Sequence, residues 1–247
     1  MKHFKTLAII IIAIFIYSCD DDSAYNPDSS SDTGTSGSLA RFAIAGNYLY
    51  TVELEQLKVF NVSDETSPQF IKQIYPGFGI ETIFSSGDYL FLGSRWGVYI
   101  YDISSPENPV QLSLYSHTYS CDPVVVSGNY AYSTLNSAGP CGRGLNQLDV
   151  IDITDKSKPV NVYTIDMESP RGLGVSGNLL FVCDNGIKIY SLVNPVQPAY
   201  LRTEDITAND VIPIDQLLIV TADSGLYIYE FNNDGELTLL SNLYSNN

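Results

Sequence analysis

The feature that most constrains the fold of this chain is a short motif that recurs five times after residue 45. The first copy, GNYLY, occupies residues 46–50, and related segments begin at residues 87, 128, 177 and, in degenerate form, 215. The steps between copies are 41, 41, 49 and 38 residues. A period of this length indicates a chain built from equivalent structural units.

A second motif follows each copy of the first and predicts four short strands, a to d, in every repeat. It begins at residues 59, 100, 150, 189 and 228, and in the first four repeats a proline lies nine residues after its start. In the second repeat the pattern predicts strands at Thr82–Ser85, Tyr89–Gly93, Gly97–Ile103 and Val110–Tyr115. Gly-Asn and Gly-Asp pairs suit the tight turns between such strands.

Four antiparallel strands in about 40 residues are typical of a propeller blade, so we expect an all-β fold. The prediction is a β-propeller of about five four-stranded blades over residues 39–247. An open β-solenoid is the structural alternative. The fifth repeat lacks the Gly-Asn turn and the proline, which suits a terminal or ring-closing blade. No strand is left over to complete a split blade, so the sequence does not show how the ring closes.

The repeats also resemble a known family. The segments VVVSGNYAYSTL and LDVIDITDKSKPV of the third repeat, with their four relatives, are similar to the LVIVD repeat. The resemblance covers nearly all of residues 40–240. It implies a propeller-like fold of a kind common in exported bacterial proteins, and it implies no defined biochemical activity.

The N-terminal segment predicts export and lipid anchoring. Residues 1–18 have two lysines, then an apolar run from Leu7 to Tyr17. This run is shorter than the roughly 20 residues of a membrane-spanning helix, so it is interpreted as a signal-peptide core. Ile16–Cys19 resembles the lipobox of bacterial lipoproteins, which implies lipidation of Cys19. The alternative is an ordinary secretory signal.

The residues after Cys19 predict a tether and a location. Asp20–Asp22 resemble the surface-export signal of Bacteroidetes lipoproteins, or they belong to an ordinary solvated tether. Residues 19–38 are rich in Ser, Asp and Gly and predict a flexible spacer. We therefore expect an outer-membrane lipoprotein that contacts the membrane through its N-terminal lipid and is exposed at the cell surface.

The net charge of the chain limits the kinds of partner that it can bind. The chain carries a formal charge of −16. A nucleic-acid partner is disfavoured, because phosphate binding requires clustered Lys and Arg. The acidic surface serves solubility or, alternatively, attracts a cation or a basic partner.

The third repeat carries an insertion between its second and third strands, within Ser133–Gln147. A long loop on a repeat scaffold is a frequent place for function, so Arg143 in this loop is a ligand candidate. Cys141 in the insertion and Cys121 at the entry of the same repeat predict a disulfide, because export permits one. Two free thiols or a metal pair are the alternatives, and a metal is disfavoured because His117 is the single histidine after residue 18. Cys183, in a strand, is expected to be a buried apolar residue.

Residues just before each first strand predict a ring of charges at the mouth of the central channel. This ring comprises Arg41, Glu81, Asp122, Arg171 and Asp210. It is either a polar ligand site or a self-paired rim. Arg95 and Trp96 lie on the same face, where Trp96 serves either as a stacking platform for a carbohydrate or peptide or as a packing aromatic.

Catalytic motifs are missing from the sequence. With one histidine after the signal segment, a Ser-His or metal-His mechanism is disfavoured, and no cofactor is expected. The enzyme class that remains is a glycosidase using the carboxylates of Glu81, Asp122 and Asp210. The sequence therefore predicts a non-catalytic binding module for a glycan, a peptide or an envelope protein.

Overall fold

The computed structural model describes residues 37–117, 123–137 and 145–244. All of them belong to one compact unit, Asp32–Asn247. They form twenty β-strands. Among these residues there is no helix long and apolar enough to span a membrane.

The strands form five separate sheets, each of four consecutive strands, which we call blades 1 to 5. Blade 1 comprises β1 (Phe42–Ala45), β2 (Tyr48–Glu53), β3 (Gln56–Asn61) and β4 (Gln69–Ile74). Blade 2 comprises β5 (Ile80–Ser86), β6 (Tyr89–Ser94), β7 (Gly97–Asp102) and β8 (Val110–Ser116). Blade 3 comprises β9 (Val124–Ser127), β10 (Tyr130–Leu135), β11 (Gln147–Asp152) and β12 (Val160–Asp166). Blade 4 comprises β13 (Pro170–Ser176), β14 (Leu179–Asp184), β15 (Ile187–Ser191) and β16 (Ala199–Glu204). Blade 5 comprises β17 (Ala208–Ile214), β18 (Leu217–Ala222), β19 (Gly225–Phe231) and β20 (Leu237–Tyr244).

Every neighbouring pair of strands within a blade is antiparallel. The first strands of blades 1 to 5 contact one another in succession around the centre. The predicted five-bladed propeller is confirmed, and the strands predicted for the second repeat agree with β5–β8 to within two residues at each end.

The turns between the first two strands of each blade explain the glycines of the repeated motif. Gly46, Gly87, Gly128 and Gly177 have φ between 52° and 57°, a left-handed conformation that favours glycine. Asp215 takes the same position in blade 5 with φ 53°. Aspartate tolerates this conformation better than most side chains, so the degenerate fifth repeat keeps the turn.

The core lies between the blades rather than along an axis. The last residue of the GNYLY motif is fully buried in the first four blades, as Tyr50, Phe91, Tyr132 and Phe181. Each of these side chains faces the next blade. Tyr50 donates a 2.9 Å hydrogen bond to the carbonyl of Pro106 in blade 2, and Tyr132 donates an equal one to Pro195 in blade 4. Phe181 packs against Phe231 of blade 5 with ring centroids 5.1 Å apart.

The connection between the second and third strands of the third repeat lies within the range given for its insertion, Ser133–Gln147. Ser133, Thr134 and Leu135 continue β10, and Gln147 begins β11. The connection is therefore limited to residues 136–146, because the hydrogen-bonded pairing of the two strands extends to Leu135 and Gln147. Cys183 is buried in β14 with a free thiol, as expected.

Candidate functional site

The junction between blade 5 and blade 1, which we call the seam, is packed unlike the other four. Phe42 of β1 faces the seam and is 55 % exposed. Its equivalents in the other blades face the preceding blade and are completely buried; they are Ile83, Val124, Leu173 and Val211. Ile44, two residues along β1, is 60 % exposed. An apolar face that is covered at four junctions is therefore open at the fifth.

The blade 5 side of the seam also differs from the corresponding side of the other junctions. Ile219 of β18 stands where blades 1 to 4 carry Tyr or Phe, and it is only partly buried. Ile214 and Leu217, at the turn between β17 and β18, are exposed. The smaller side chain of Ile219 fills less of the space between blades, so apolar surface on both sides stays accessible.

A pocket of about 430 Å³ opens in the seam. Apolar side chains and backbone form most of its walls, and the residues lining it are Gly37, Leu39, Ala40, Phe42, Ala43, Ile44, Ser85, Asp210, Ile212 and Thr221. A concave, mostly apolar cavity of this size with few polar groups is the usual form of a ligand site. We call it the seam pocket.

Asp210 is the one ionisable side chain among the residues lining the seam pocket, and it is 6 % exposed. Its Oδ1 accepts a 2.9 Å hydrogen bond from the Ser38 hydroxyl, and its Oδ2 accepts one of 3.2 Å from the backbone N–H of Leu39. Gly37 and Gly172 lie directly against the carboxyl group, where a Cβ would collide with its oxygens. The local sequence thus leaves just enough room for a carboxylate here.

Burial raises the pKa of Asp210 to about 6, while the hydrogen bonds from Ser38, Leu39 and the backbone of Val211 act in the opposite direction. Desolvation penalises the charged form more than these donors stabilise it. The carboxyl group is therefore mostly ionised at neutral pH and protonated in mild acid.

The described part of the predicted charge ring separates into three local arrangements. Glu81 and Arg95 form an ion pair within blade 2, with 2.9 Å between Oε1 and Nε. Arg171 donates a hydrogen bond to the side chain of Asn209. Asp210 contacts Ser38 and Leu39, and Arg41 is exposed just before β1.

The expected position of the ring was partly wrong. Glu81, Arg171 and Asp210 lie inside the first strands of their blades, at or beside bulges, instead of before them. A bulge adds one unpaired residue, so counting back from the turn misplaces the strand start.

Trp96 lies in the turn between β6 and β7 and is 48 % exposed. The backbone N–H of Arg95 bonds to the carbonyl of Gly79, which brings this turn beside the segment carrying exposed Phe78. Two exposed aromatic side chains thus come from neighbouring loops near the Glu81–Arg95 pair.

Five predicted site residues lie outside the described residues: Cys19, Cys121, Asp122, Cys141 and Arg143. The predicted disulfide and lipidation are therefore not tested by the geometry. No group of three or more potential metal ligands occurs within residues 37–117, 123–137 and 145–244.

The sequence pointed to Asp210 as a candidate site residue but did not predict the seam pocket that it lines. The available signal was the loss of the aromatic residue at position 219, together with the unusually large Phe42 at a position otherwise held by aliphatic residues. Positions 219 and 42 both depart from the repeat pattern, and both lie at the junction between blade 5 and blade 1.

The sequence pattern of the LVIVD repeat matches residues 36–75, 81–116, 119–139 and 141–166. This chain carries LVIVD repeats. The matched LVIVD segments correspond to blades 1, 2 and 3, and the same four-stranded unit continues in blades 4 and 5.

Several solved structures resemble this LVIVD chain. The periplasmic gluconolactonase PpgL of Pseudomonas aeruginosa is 18 % identical with a TM-score of 0.62, over 81 % of this chain and 68 % of that one. A functionally unknown protein of Desulfotomaculum acetoxidans is 14 % identical with a TM-score of 0.67, over 83 % and 69 %. A Lactobacillus plantarum protein is 14 % identical with a TM-score of 0.60, over 79 % and 67 %. At these identities the likeness shows the fold alone. No curated protein sequence matches the chain.

Proposed function

We propose that the propeller is a non-catalytic binding module of the cell envelope and that it holds an apolar part of its ligand in the seam pocket. The observation that carries this proposal is the open apolar junction at Phe42 and Ile44, where every equivalent junction is closed. Contiguous exposed apolar surface around a cavity is typical of binding sites.

Among the expected ligands, the walls favour an apolar side chain of a peptide or of an envelope protein. Sugars need several hydrogen-bond partners, whereas the residues lining the pocket offer few polar side chains: Ser85, Asp210 and Thr221. Exposed Ile214 and Leu217 lie on the same blade face beyond the pocket and give a longer ligand a further apolar surface. A peptide or protein segment with an apolar anchor fits these features.

The geometry gives less support to glycoside hydrolysis. That reaction uses two carboxyl groups about 5–10 Å apart on either side of the scissile bond. Asp210 is the single carboxyl group among the lining residues, and Glu81 is engaged by Arg95. The pocket is therefore better suited to binding than to acid–base catalysis.

The location rests on the N-terminal sequence. The apolar run from Leu7 to Tyr17 and the lipobox-like segment ending at Cys19 support export and lipidation, which would hold the propeller at the outer membrane. Changing Cys19 to Ser is expected to release the protein from membranes into a soluble fraction, as measured by fractionation and phase partition. Retention in the membrane fraction would contradict lipid anchoring.

The binding proposal is tested with the neutral dye Nile red, whose fluorescence rises in apolar sites. The double variant Phe42→Ser/Ile44→Ser is expected to lose most of the signal, because it makes one wall polar at exposed positions. The matched control is Val160→Ser/Val162→Ser, a similar exposed pair on β12. Panning of a peptide library should then enrich apolar anchors on the wild-type domain alone. Equal dye binding by both double variants would overturn the proposal.

A further inference from the structure

The described residues include three buried aspartates, and their surroundings differ. Asp184 of β14 forms an ion pair with Lys188, with 2.7 Å between Oδ2 and Nζ. Asp149 of β11 accepts hydrogen bonds from three side chains, those of Tyr115, Gln147 and Thr164. Side chains close to each of these two carboxylates supply its ion pair or hydrogen bonds, as is usual for buried carboxylates.

Asp210 accepts as many hydrogen bonds as Asp149, but it lines the seam pocket, where a ligand can approach it. Its partners are one hydroxyl and backbone N–H groups, and no ion pair joins it to a cationic side chain in the described part of the chain. A carboxylate has about four acceptor positions, so about one remains beyond the three hydrogen bonds that Asp210 accepts. A buried negative charge without a cation is costly unless a partner supplies one.

The other ionisable groups near Asp210 do not provide that cation. Burial raises the pKa of the Cys183 thiol in β14, and the nearby Asp210 charge raises it further. Arg171, at the start of β13, also acts on Cys183, and its guanidinium donates to Asn209. Ser38, Leu39 and Thr221, on the remaining elements around Asp210, carry no charge. The thiol, whose pKa is raised, carries no charge in mild acid.

On the basis of the proposed function, we infer that the ligand of the seam pocket carries a positive charge beside its apolar anchor, so that the site selects a basic-apolar peptide segment. The apolar walls would hold the anchor and the Asp210 carboxylate would pair with a lysine or arginine next to it. The formal charge of −16 on the chain would also attract such a segment.

The test uses three short fluorescent peptides that share a leucine–phenylalanine pair and differ in the next residue, which is lysine, glutamine or glutamate. Fluorescence anisotropy at about pH 7.5 should show the lysine peptide binding at least about tenfold more tightly than the glutamine peptide, equivalent to about 1.4 kcal/mol. The glutamate peptide should bind most weakly. Asp210→Asn should remove this preference and leave the affinity for the glutamine peptide within about twofold.

Two controls separate Asp210 from the general charge of the domain. Asp166→Asn removes an exposed carboxylate from β12 and should keep the full preference. Wild-type protein at about pH 5 should lose most of the preference for lysine, because Asp210 is then protonated. This measurement requires no variant, so it remains a valid test even if Asp210→Asn folds poorly. Long-range attraction would instead weaken with added salt for every variant equally.

The outcomes distinguish the two proposals. Equal binding of the three peptides, abolished by Phe42→Ser/Ile44→Ser, would overturn the charge selection and leave the seam pocket as a binding site. A lysine preference that survives both Asp210→Asn and about pH 5 would also overturn it. Binding that is unaffected by Phe42→Ser/Ile44→Ser would overturn the proposed function itself.

Discussion

The hydroxyl oxygen of Ser38 lies 2.9 Å from Oδ1 of Asp210, across a sequence separation of 172 residues. The same hydroxyl accepts a 2.8 Å hydrogen bond from the backbone N–H of Leu173 in blade 4. The segment that leads into blade 1 is thus bonded to blades 4 and 5 at the centre of the propeller. This contact joins the two ends of the ring where the seam itself is incompletely packed.

Replacing Ser38 with Ala is expected to reduce the free energy of unfolding by about 2–3 kcal/mol. The change leaves the Leu173 N–H unpaired and removes a donor from Asp210, and buried unsatisfied groups each cost about 1–3 kcal/mol. Chemical denaturation followed by fluorescence measures the effect. Ser241→Ala, at an exposed position on β20, should change stability by less than about 0.5 kcal/mol. Equal losses in the two variants would show that the Ser38 contact does not join the ends of the ring.

Asp210 makes stability depend on pH in a defined window. Its pKa is about 6 in the folded protein, above the ordinary 3.8, so the folded state binds this proton more tightly than the unfolded state. The contribution is present in acid and is lost as pH rises from about 4 through 6, by up to roughly 3 kcal/mol.

Asp210→Asn removes this titration. The unfolding free energy of the variant, relative to wild type, is expected to increase as pH rises from about 4 to 7. Denaturation midpoints of the two proteins across that range provide the measurement, with Asp166→Asn following wild type. Parallel curves for wild type and Asp210→Asn would contradict the assignment.

The tyrosine hydroxyls that connect adjacent blades should each contribute measurably. Tyr50→Phe and Tyr132→Phe are each expected to cost about 1 kcal/mol, the usual net value of a hydrogen bond, because the carbonyls of Pro106 and Pro195 lose their donors. The protein already carries Phe at the equivalent positions 91 and 181, so the ring itself is well accommodated. Tyr163→Phe, on the outer strand β12, serves as the control in thermal denaturation and should be neutral.

Filling the seam should stabilise the protein and close the pocket region. Ile219→Phe restores the aromatic residue found at this position in the first four blades, and about 40 Å² of extra apolar burial would contribute about 1 kcal/mol. The unfolding free energy should rise and Nile red binding should fall. Val193→Phe, at an exposed position of blade 4, adds the same ring without a cavity and should do neither. A destabilised Ile219→Phe protein would show that the seam has no space to fill.

The predicted Cys121–Cys141 disulfide remains a prediction. Peptide mapping of the exported protein under non-reducing conditions should recover the two cysteines in one linked fragment. Recovery of both as free thiols after export would contradict it. Cys183 should react with thiol reagents only after unfolding, since it is buried.

The sequence predicted the blades well because each blade is a local unit. The left-handed turn at Gly46 and its equivalents, the two recurring strand motifs, and the proline after the third strand all act within about 40 residues. Strand bounds in the second repeat therefore followed from the pattern to within two residues.

The site was less predictable because it depends on contacts between distant parts of the chain. Asp210 was selected as a charge at the channel mouth, yet its burial results from Ser38 and Gly172, which come from the leading segment and from another blade. Glu81 was expected to converge with the other charges, but it pairs with Arg95 across a turn of its own blade. Which partner a charge meets is decided by inter-blade packing, which the repeat pattern does not encode.

Each blade is built from consecutive strands, and within residues 37–117, 123–137 and 145–244 no blade takes a strand from another part of the chain. Gene duplication or deletion of one repeat would therefore add or remove a whole blade without interrupting another. A ring closed by side-chain and backbone hydrogen bonds at Ser38, instead of by an exchanged strand, can accept such changes in blade number.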